Sequence, residues 1–153
     1  MSEALDDFQL GVNGTLVRSQ TTINPEELEE IKALDPQQNA TRAMFGQAPY
    51  IINGFILFKN ETSGWGANMV YNVSGPSLAL VVGGGTPDVY QQPKPTLDMN
   101  VSKVIRYNIL ATVRVKNILN AVDSQTYEFK EQSYTFQRLE IGRFISLGLS
   151  CKF

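Results

Sequence analysis

The feature that most constrains this chain is an alternation of apolar with small or polar side chains through residues 141–153. One parity of this stretch holds Ile145, Leu147, Leu149, Cys151 and Phe153, whereas the other holds mainly glycine and serine. Successive side chains of a β-strand point to opposite faces, so the period of two predicts a strand with one apolar face. The strand ends on an aromatic residue, and its apolar face must meet either a protein core or lipid.

The same period of two predicts five further strands, near residues 9–22, 50–59, 65–74, 96–103 and 107–117. Long connections near residues 23–49, 75–95 and 118–140 are predicted as loops, and the two remaining connections as short turns. Asn24 as a helix cap, Pro25 after it and a run of glutamates predict one short helix in the first loop. The fold class is therefore predicted as all-β, an antiparallel up-and-down meander of about six strands forming one segment over residues 1–153.

Long and short connections alternate along the chain, which places every short turn at one rim of the meander and every long loop at the other. Transmembrane β-barrels have this layout, with aromatic residues at both lipid–water boundaries. Phe58, Trp65, Tyr107 and Phe153 are predicted to lie at the short-turn rim, and Tyr50 at the opposite rim. Strands of about ten residues also have the length that a tilted spanning strand requires.

The polar face of the predicted strands leaves two interpretations open. It carries Asp98, Arg114, Lys116 and Lys152, so we expect it to contact water. A barrel with a water-filled or plugged interior has such a face, and so does a small soluble β-sheet protein that binds an apolar ligand. The soluble alternative requires four apolar side chains to meet in one core, namely those of Ile109, Val113, Leu147 and Leu149.

The composition offers little to a catalyst or a nucleic-acid binder. The chain has no histidine and a single cysteine, Cys151, which removes the commonest general base and any disulfide within the chain. A net charge of −2 argues against nucleic acid as a partner. Gly83-Gly84-Gly85 lacks the Lys-Ser/Thr of a phosphate-binding loop and is predicted as a flexible loop. No catalytic, metal-binding or cofactor-binding residue is predicted, and we do not expect an enzyme.

From about Arg42 to Phe153 the chain resembles the C-terminal end of a TonB-dependent outer-membrane receptor of the type common in Bacteroidetes. The similarity lies in the order and spacing of seven blocks: 46–53, 71–75, 87–90, 97–98, 102–103, 115–120 and 142–150. It implies a transmembrane barrel of about 22 strands with a plug domain inside. It also implies uptake of a scarce nutrient across the bacterial outer membrane, driven by the TonB complex. Substrates across the family include siderophore-bound iron, haem, cobalamin and oligosaccharides.

The resemblance further implies partners for individual parts of the chain. Ile145, Leu147, Leu149 and Phe153 resemble the signal read by the barrel-assembly machinery, and Cys151 stands where the family usually has tyrosine. The apolar strand faces are expected to meet outer-membrane lipid, and loop residues to contact ligand. The ligand-contact candidates are Tyr90, Gln91 and Gln92.

The number of predicted strands decides whether the chain could form a barrel without other strands. Six strands cannot close a bacterial outer-membrane barrel, whose minimum is about eight. No plug domain is expected within residues 1–153. The chain is therefore expected to be a non-autonomous fragment that depends on the plug and the remaining barrel strands of a parent receptor.

Overall fold

The computed structural model describes residues 6–106 and 108–151, which form twelve β-strands and one α-helix. In chain order these are β1 Phe8–Leu16, β2 Gln20–Thr22, α1 Pro25–Leu34, β3 Thr41–Ala43, β4 Tyr50–Asn60, β5 Trp65–Ser74, β6 Ser77–Leu80, β7 Val89–Gln91, β8 Thr96–Arg106, β9 Ile109–Lys116, β10 Asp123–Phe129, β11 Gln132–Leu139 and β12 Phe144–Cys151. The prediction of an all-β fold with antiparallel sheets and one short helix is confirmed. Tyr107 and Phe153, both predicted at the short-turn rim, lie outside the described residues.

The largest sheet has six strands in the order β1-β4-β5-β8-β9-β12, and each strand is antiparallel to its neighbours. A tight turn joins β4 to β5, where Asn60 accepts hydrogen bonds from the backbone of Ser63 and Gly64. The three long connections leave the sheet at the opposite end. Over residues 6–106 and 108–151 this sheet is open, because β1 pairs only with β4 and β12 only with β9.

The long connections hold structure of their own, which we call the loop-end assembly: α1, β2, β3, β6, β7, β10 and β11. Its main sheet has four strands in the order β11-β10-β7-β6, and β2 pairs separately with β3. Helix α1 begins as predicted, because Asn24 accepts a hydrogen bond from the Glu26 backbone at 3.2 Å and Pro25 opens the first turn.

The loops predicted near residues 75–95 and 118–140 are therefore corrected to loops that contain strands. β10 and β11 are largely polar on both faces, so they lack the apolar alternation by which the other strands were predicted. Lys130 and Glu131 join them with φ values of 50° and 65°, the backbone of a two-residue hairpin turn. Such turns are usually marked by Asn-Gly or Asp-Gly, and this chain has neither there.

The strand predicted near residues 9–22 is two strands that belong to different sheets. The β1–β4 pairing ends at Leu16 and Tyr50, and the next backbone bond runs from the Val17 N–H to the Pro49 carbonyl. Pro49 has no N–H to return a second bond, so the ladder stops there. The chain then turns away, and β2 pairs with β3 inside the region that was predicted as the first loop.

The other predicted strands lie close to the observed ones. β8 extends to Arg106, three residues past its predicted end, and the described part of the last strand begins at Phe144 rather than Ile141. Gly142 has a φ of 78°, which interrupts an extended strand before Phe144.

Few apolar side chains of the described residues are buried. Ile23, Leu78 and Val89 are buried in the loop-end assembly, and Val73 is buried near the end of β5. Most apolar side chains of the six-stranded sheet are more than a third exposed instead. The packed interior of residues 6–106 and 108–151 therefore lies at the loop end, and none of these residues forms an apolar layer against the large sheet.

Candidate functional site

One face of the six-stranded sheet is apolar from edge to edge. Residues paired across antiparallel strands lie on the same face. One row of such pairs crosses all six strands as Leu10, Ile56, Met69, Met99, Val115 and Ile145. A second row crosses as Phe8, Phe58, Ala67, Val101, Val113 and Leu147. The sheet register thus joins the separate alternating stretches of the sequence into one apolar surface.

The apolar face is uncovered within the described residues. Leu147 is 81% exposed, Leu149 77% and Ile145 65%, although all three are large apolar residues. Ile109 and Val113 are also more than a third exposed. The four side chains that a soluble core would need to bring together therefore lie along one open surface.

Aromatic side chains gather where the apolar face reaches the short-turn end. The rings of Phe8 and Phe58 lie 4.9 Å apart between centroids, and Trp65 starts the next strand. Lys103, opposite Trp65 in the register, holds its Nζ 4.8 Å from the centre of the indole. Phe58 and Trp65 thus lie at the rim that the sequence predicts, and Phe8 joins them.

The opposite face of the sheet carries a hydrogen-bonded row of amides. Asn53 donates from its Nδ2 to the Asn13 Oδ1 at 2.8 Å, and Asn72 donates in turn to the Asn53 Oδ1. Further along the face, the Arg114 Nε donates to the Asn100 Oδ1 at 3.3 Å. This face is mixed rather than uniformly polar, because Phe55, Leu57 and Val70 lie on it beside the amides and are also more than a third exposed.

The loop-end assembly lines a cavity of about 430 Å³ that is open to solvent, which we call the loop-end cavity. Its wall is formed by residues of α1, β2, β3, β7 and β10 and of the loops between them. The lining includes Gln20, Gln38, Asn39, Thr41, Arg42, Asp35, Asp88, Tyr90, Gln92, Thr126, Glu128 and Phe129. A smaller cavity of about 280 Å³ adjoins it and shares Gln20, Ala43, Pro76 and Tyr90.

Arg42 ties three elements of the loop-end assembly together. Its guanidinium donates from Nη1 to both carboxylate oxygens of Asp88 at 3.1 Å, and from Nη2 to Glu27 on α1. The Arg42 side chain is 7% exposed and that of Asp88 11%. Helix α1, strand β3 and the loop before β7 are therefore held by one buried charge cluster.

Burial and charge act in opposite directions on these groups. Burial by itself lowers the pKa of Arg42, but the Glu27 hydrogen bond and the charges of Asp88 and Glu27 outweigh it, so the pKa is raised. Burial raises the pKa of Asp88, and the nearby Arg42 offsets only part of this. Burial, with the Asp88 charge second, also raises the pKa of the Tyr90 phenol. Arg42 thus stays charged, with Nη1 bound to Asp88 and Nη2 to Glu27.

The three ligand-contact candidates point to different places. Tyr90 and Gln92 line the loop-end cavity. Gln91 lies between them in the sequence and contacts β10 instead. Its Nε2 donates to the Asp123 Oδ1 at 2.9 Å and to the Ser124 carbonyl at 3.1 Å. Asp123 also accepts a hydrogen bond from Lys94 at 3.0 Å. Gln91 therefore holds the sheet together, and Tyr90 and Gln92 remain candidates for ligand contact.

Gly85 lets helix α1 approach the glycine run. Its φ is 73°, and an added Cβ would lie 3.0 Å from the Glu30 carbonyl oxygen and 2.8 Å from the Leu34 Cδ1. A side chain at this position would meet helix backbone. The run that the sequence predicts as a flexible loop therefore includes one tightly packed position.

Sequence reasoning missed the Arg42 cluster. Arg42 and Asp88 are 46 positions apart, and each lay in a stretch predicted as loop. Asp88 falls in one block of the resemblance and Arg42 lies at the start of the resembling stretch, but neither position pairs the two residues.

Comparison with models of protein families, with curated proteins and with solved structures finds no match to this chain. Among the described residues, no helix combines the length and the apolar character needed to cross a membrane.

Proposed function

We propose that this chain is the C-terminal barrel segment of a TonB-dependent outer-membrane receptor that takes up a scarce nutrient. In this proposal the six-stranded sheet is part of the barrel wall, its apolar face meets outer-membrane lipid, and the loop-end assembly faces outside the cell. Plug, TonB complex and barrel-assembly machinery act through the parent receptor. The chain has no catalytic role in this proposal.

The observation that carries the proposal is the continuous apolar face. Two complete rows of paired apolar side chains cross all six strands, with no described part of the chain against them. Monomeric soluble proteins rarely expose contiguous apolar patches above a few hundred Å². The amide-lined opposite face and the aromatic residues at the short-turn end agree with a spanning barrel wall.

The open edges of the sheet favour a larger barrel over a self-contained sheet. β1 and β12 each have one unpaired side among the described strands. Lipid offers no partner for unpaired backbone groups, so spanning strands need neighbours on both sides. The remaining strands of a parent receptor would supply them. The soluble alternative is less favoured, because it needs Ile109, Val113, Leu147 and Leu149 in one core and all four are more than a third exposed.

Lipid contact is tested with single-tryptophan variants, because Trp65 is the only tryptophan of the chain. In a Trp65→Phe background, Leu147→Trp puts the probe on the apolar face and Ser146→Trp puts it on the polar face. In vesicles made with brominated phospholipid, we expect strong fluorescence quenching for Leu147→Trp and weak quenching for Ser146→Trp. Quenching of Ser146→Trp that equals or exceeds that of Leu147→Trp would contradict the proposal.

Nutrient uptake is tested in the source organism. Disruption of the coding sequence is expected to abolish uptake of one labelled nutrient among a ferric siderophore, haem, cobalamin and neutral oligosaccharides. Loss of the TonB complex should abolish uptake of the same nutrient. Normal uptake of all four classes in the disrupted strain would remove the transport part of the proposal.

A further inference from the structure

The charged residues of the apolar face lie at one end of it. Within the six strands, the residues that share this face by register are uncharged except for Lys103 and Arg106. Lys103 pairs with Ala111, and Arg106 pairs with Ile109 after the irregularity in the β8–β9 register. Both cations lie beyond the row that contains Phe58, towards the short turns. The face therefore carries two cations, both at the short-turn rim, and no carboxylate.

We propose that Lys103 and Arg106 bind the anionic headgroups of phospholipids in the periplasmic leaflet of the outer membrane. The inference rests on the proposed function, because it takes the apolar face to lie in lipid and the short turns to lie on the periplasmic side. It adds a preference among lipids. Basic side chains at a membrane surface favour anionic headgroups, whereas an apolar face alone does not distinguish them.

The contacts of Lys103 direct its ammonium group to the rim. Its Nζ lies 4.8 Å from the centre of the Trp65 ring and donates to the Ser63 carbonyl at 2.5 Å. Ser63 belongs to the turn between β4 and β5, and the Val104 N–H donates to the next carbonyl of that turn, Gly64, at 2.8 Å. The turn is thus held against β8, and the charge of Lys103 lies at its level. Lysine side chains at the edge of a bilayer adopt this arrangement, with the stem on apolar surface and the charge towards water.

Neither cation forms an ion pair with a carboxylate of the described residues. The ion pairs within residues 6–106 and 108–151 use other cations, namely Arg42, Lys59, Lys94 and Arg138. At the short-turn end, Glu61 is paired with Lys59, and Asp6 and Asp7 precede β1, which is three strands away from β8. An ammonium group has three N–H donors and the turn carbonyl accepts from one, so Lys103 keeps donors for a phosphate oxygen.

A phospholipid matches both parts of this rim, because it joins a phosphate to apolar chains. The phosphate would lie by Lys103 and Arg106, and the acyl chains would cover the neighbouring row of Phe58, Ala67 and Val101. Trp65 lies between the two parts and is 45% exposed, which suits the headgroup level where tryptophan is enriched. A phosphate without acyl chains would meet the cations alone and leave the apolar row uncovered.

The test identifies the lipid next to Trp65, the only tryptophan of the chain. The full chain is placed in vesicles of phosphatidylglycerol and phosphatidylcholine in equal amounts, and one of the two lipids is brominated in each sample. We expect Trp65 to prefer the anionic lipid by about fivefold, measured as stronger quenching by brominated phosphatidylglycerol. Fivefold corresponds to about 1 kcal/mol, the attraction of one basic residue to an anionic surface. The double variant Lys103→Met with Arg106→Met should lose the preference, and Lys103→Arg should keep it.

Two control variants separate a local site from a general effect of charge. Arg114→Met removes a cation from the opposite face and should leave the preference of Trp65 unchanged. Tyr71→Trp in a Trp65→Phe background moves the probe three rows along β5, to a part of the apolar face without charged residues. The probe should show no preference there.

Quenching of Trp65 by brominated phosphatidylglycerol that does not exceed quenching by brominated phosphatidylcholine would overturn the inference. A preference that persists in the double variant would overturn it as well. Both results leave the membrane assignment in place if Leu147→Trp is quenched more than Ser146→Trp. The opposite order of those two variants removes the membrane assignment and this inference with it.

Discussion

Arg42 shows how one residue can organise the outer part of this chain. Its guanidinium sits between Glu27 on α1 and Asp88 before β7, and its side chain is almost fully buried. A buried charge is tolerated only when its partners are in place, because desolvation otherwise costs several kcal/mol. The cluster therefore makes docking of α1 and the position of β7 depend on each other.

Removing this charge should open the loop-end assembly. Arg42→Met keeps much of the side-chain volume but leaves the Asp88 carboxylate buried without a counter-charge. We expect a loss of about 3 kcal/mol in the local opening free energy, measured by hydrogen exchange at the β7 amides.

The control for Arg42→Met is Arg138→Met. Arg138 pairs with Glu140 at 2.8 Å, but both side chains are more than 60% exposed. The loss of local opening free energy in Arg138→Met should stay below about 1 kcal/mol. Similar losses for the two variants would show that burial of the Arg42 cluster contributes nothing.

Asp123 gives the loop-end assembly a pH dependence of known sign. The hydrogen bond from Lys94, and then that from Gln91, lower its pKa below the ordinary aspartate value of about 3.9. A lowered pKa contributes stability that is present above the unfolded value and is lost as the pH falls through the folded value. We expect the Asp123 carboxyl carbon to titrate below about 3.9 by NMR.

Lys94→Met tests the cause of that shift. It should move the Asp123 titration upward, because Lys94 is the largest contributor to the lowered pKa. Lys32→Met is the control: Lys32 lies in the last turn of α1, outside the contacts of Asp123, and should leave the titration in place. An unchanged titration in Lys94→Met would contradict the assignment.

At the scale of elements, helix α1 depends on a glycine that belongs to another connection. Gly85 combines a positive φ with contact to the α1 backbone, whereas Gly83 has neither a positive φ nor a neighbour within 4 Å of an added Cβ. The two glycines lie in the same run, so they form a matched pair for mutation.

Gly85→Ala should loosen α1, and Gly83→Ala should not. The first change adds left-handed backbone strain of about 1–3 kcal/mol and pushes against the Glu30 carbonyl. Faster hydrogen exchange of the α1 amides in Gly85→Ala alone is the expected result. Equal exchange in both variants would mean that α1 does not depend on this contact.

At the scale of the whole molecule, the arrangement of apolar surface separates two regions. The loop-end assembly buries Ile23, Leu78 and Val89, whereas the six-stranded sheet leaves its apolar face open. A chain stabilised only by its own contacts would bury that face first, since apolar burial is the main favourable term in folding. In the proposed receptor, lipid covers this face and supplies the apolar contact that the described residues do not.

A positive charge placed on either face of β12 should lower the free energy of unfolding in vesicles by unequal amounts. Leu147→Arg puts a cation on the apolar face, where an arginine near the bilayer midplane costs about 2–4 kcal/mol in a transmembrane barrel. Ser146→Arg puts the same side chain on the polar face and should cost little. The measurement is denaturant unfolding of the parent receptor carrying each change, folded into phospholipid vesicles, and equal losses would contradict a lipid-facing Leu147.

Local sequence patterns were sufficient to predict helix α1 and most strands of the large sheet. Asn24 and Pro25 predict the start of α1 because capping depends on neighbours in sequence. The apolar alternation of β4, β5, β9 and β12 predicts strands for the same reason. Tyr90 and Gln92 were predicted as ligand contacts from the resemblance, and both line the loop-end cavity.

The all-β class, helix α1 and the apolar alternation of the strands follow from the sequence alone, since each depends on residues a few positions apart. The pairing of β10 with β11 is seen only in the folded chain, because their hairpin turn uses lysine and glutamate in place of the usual turn residues. Only the tertiary structure brought Arg42 to Asp88 and aligned the apolar residues into rows across six strands. These contacts join residues far apart in sequence. Which residues meet depends on the strand register, and no local sequence pattern predicts that register.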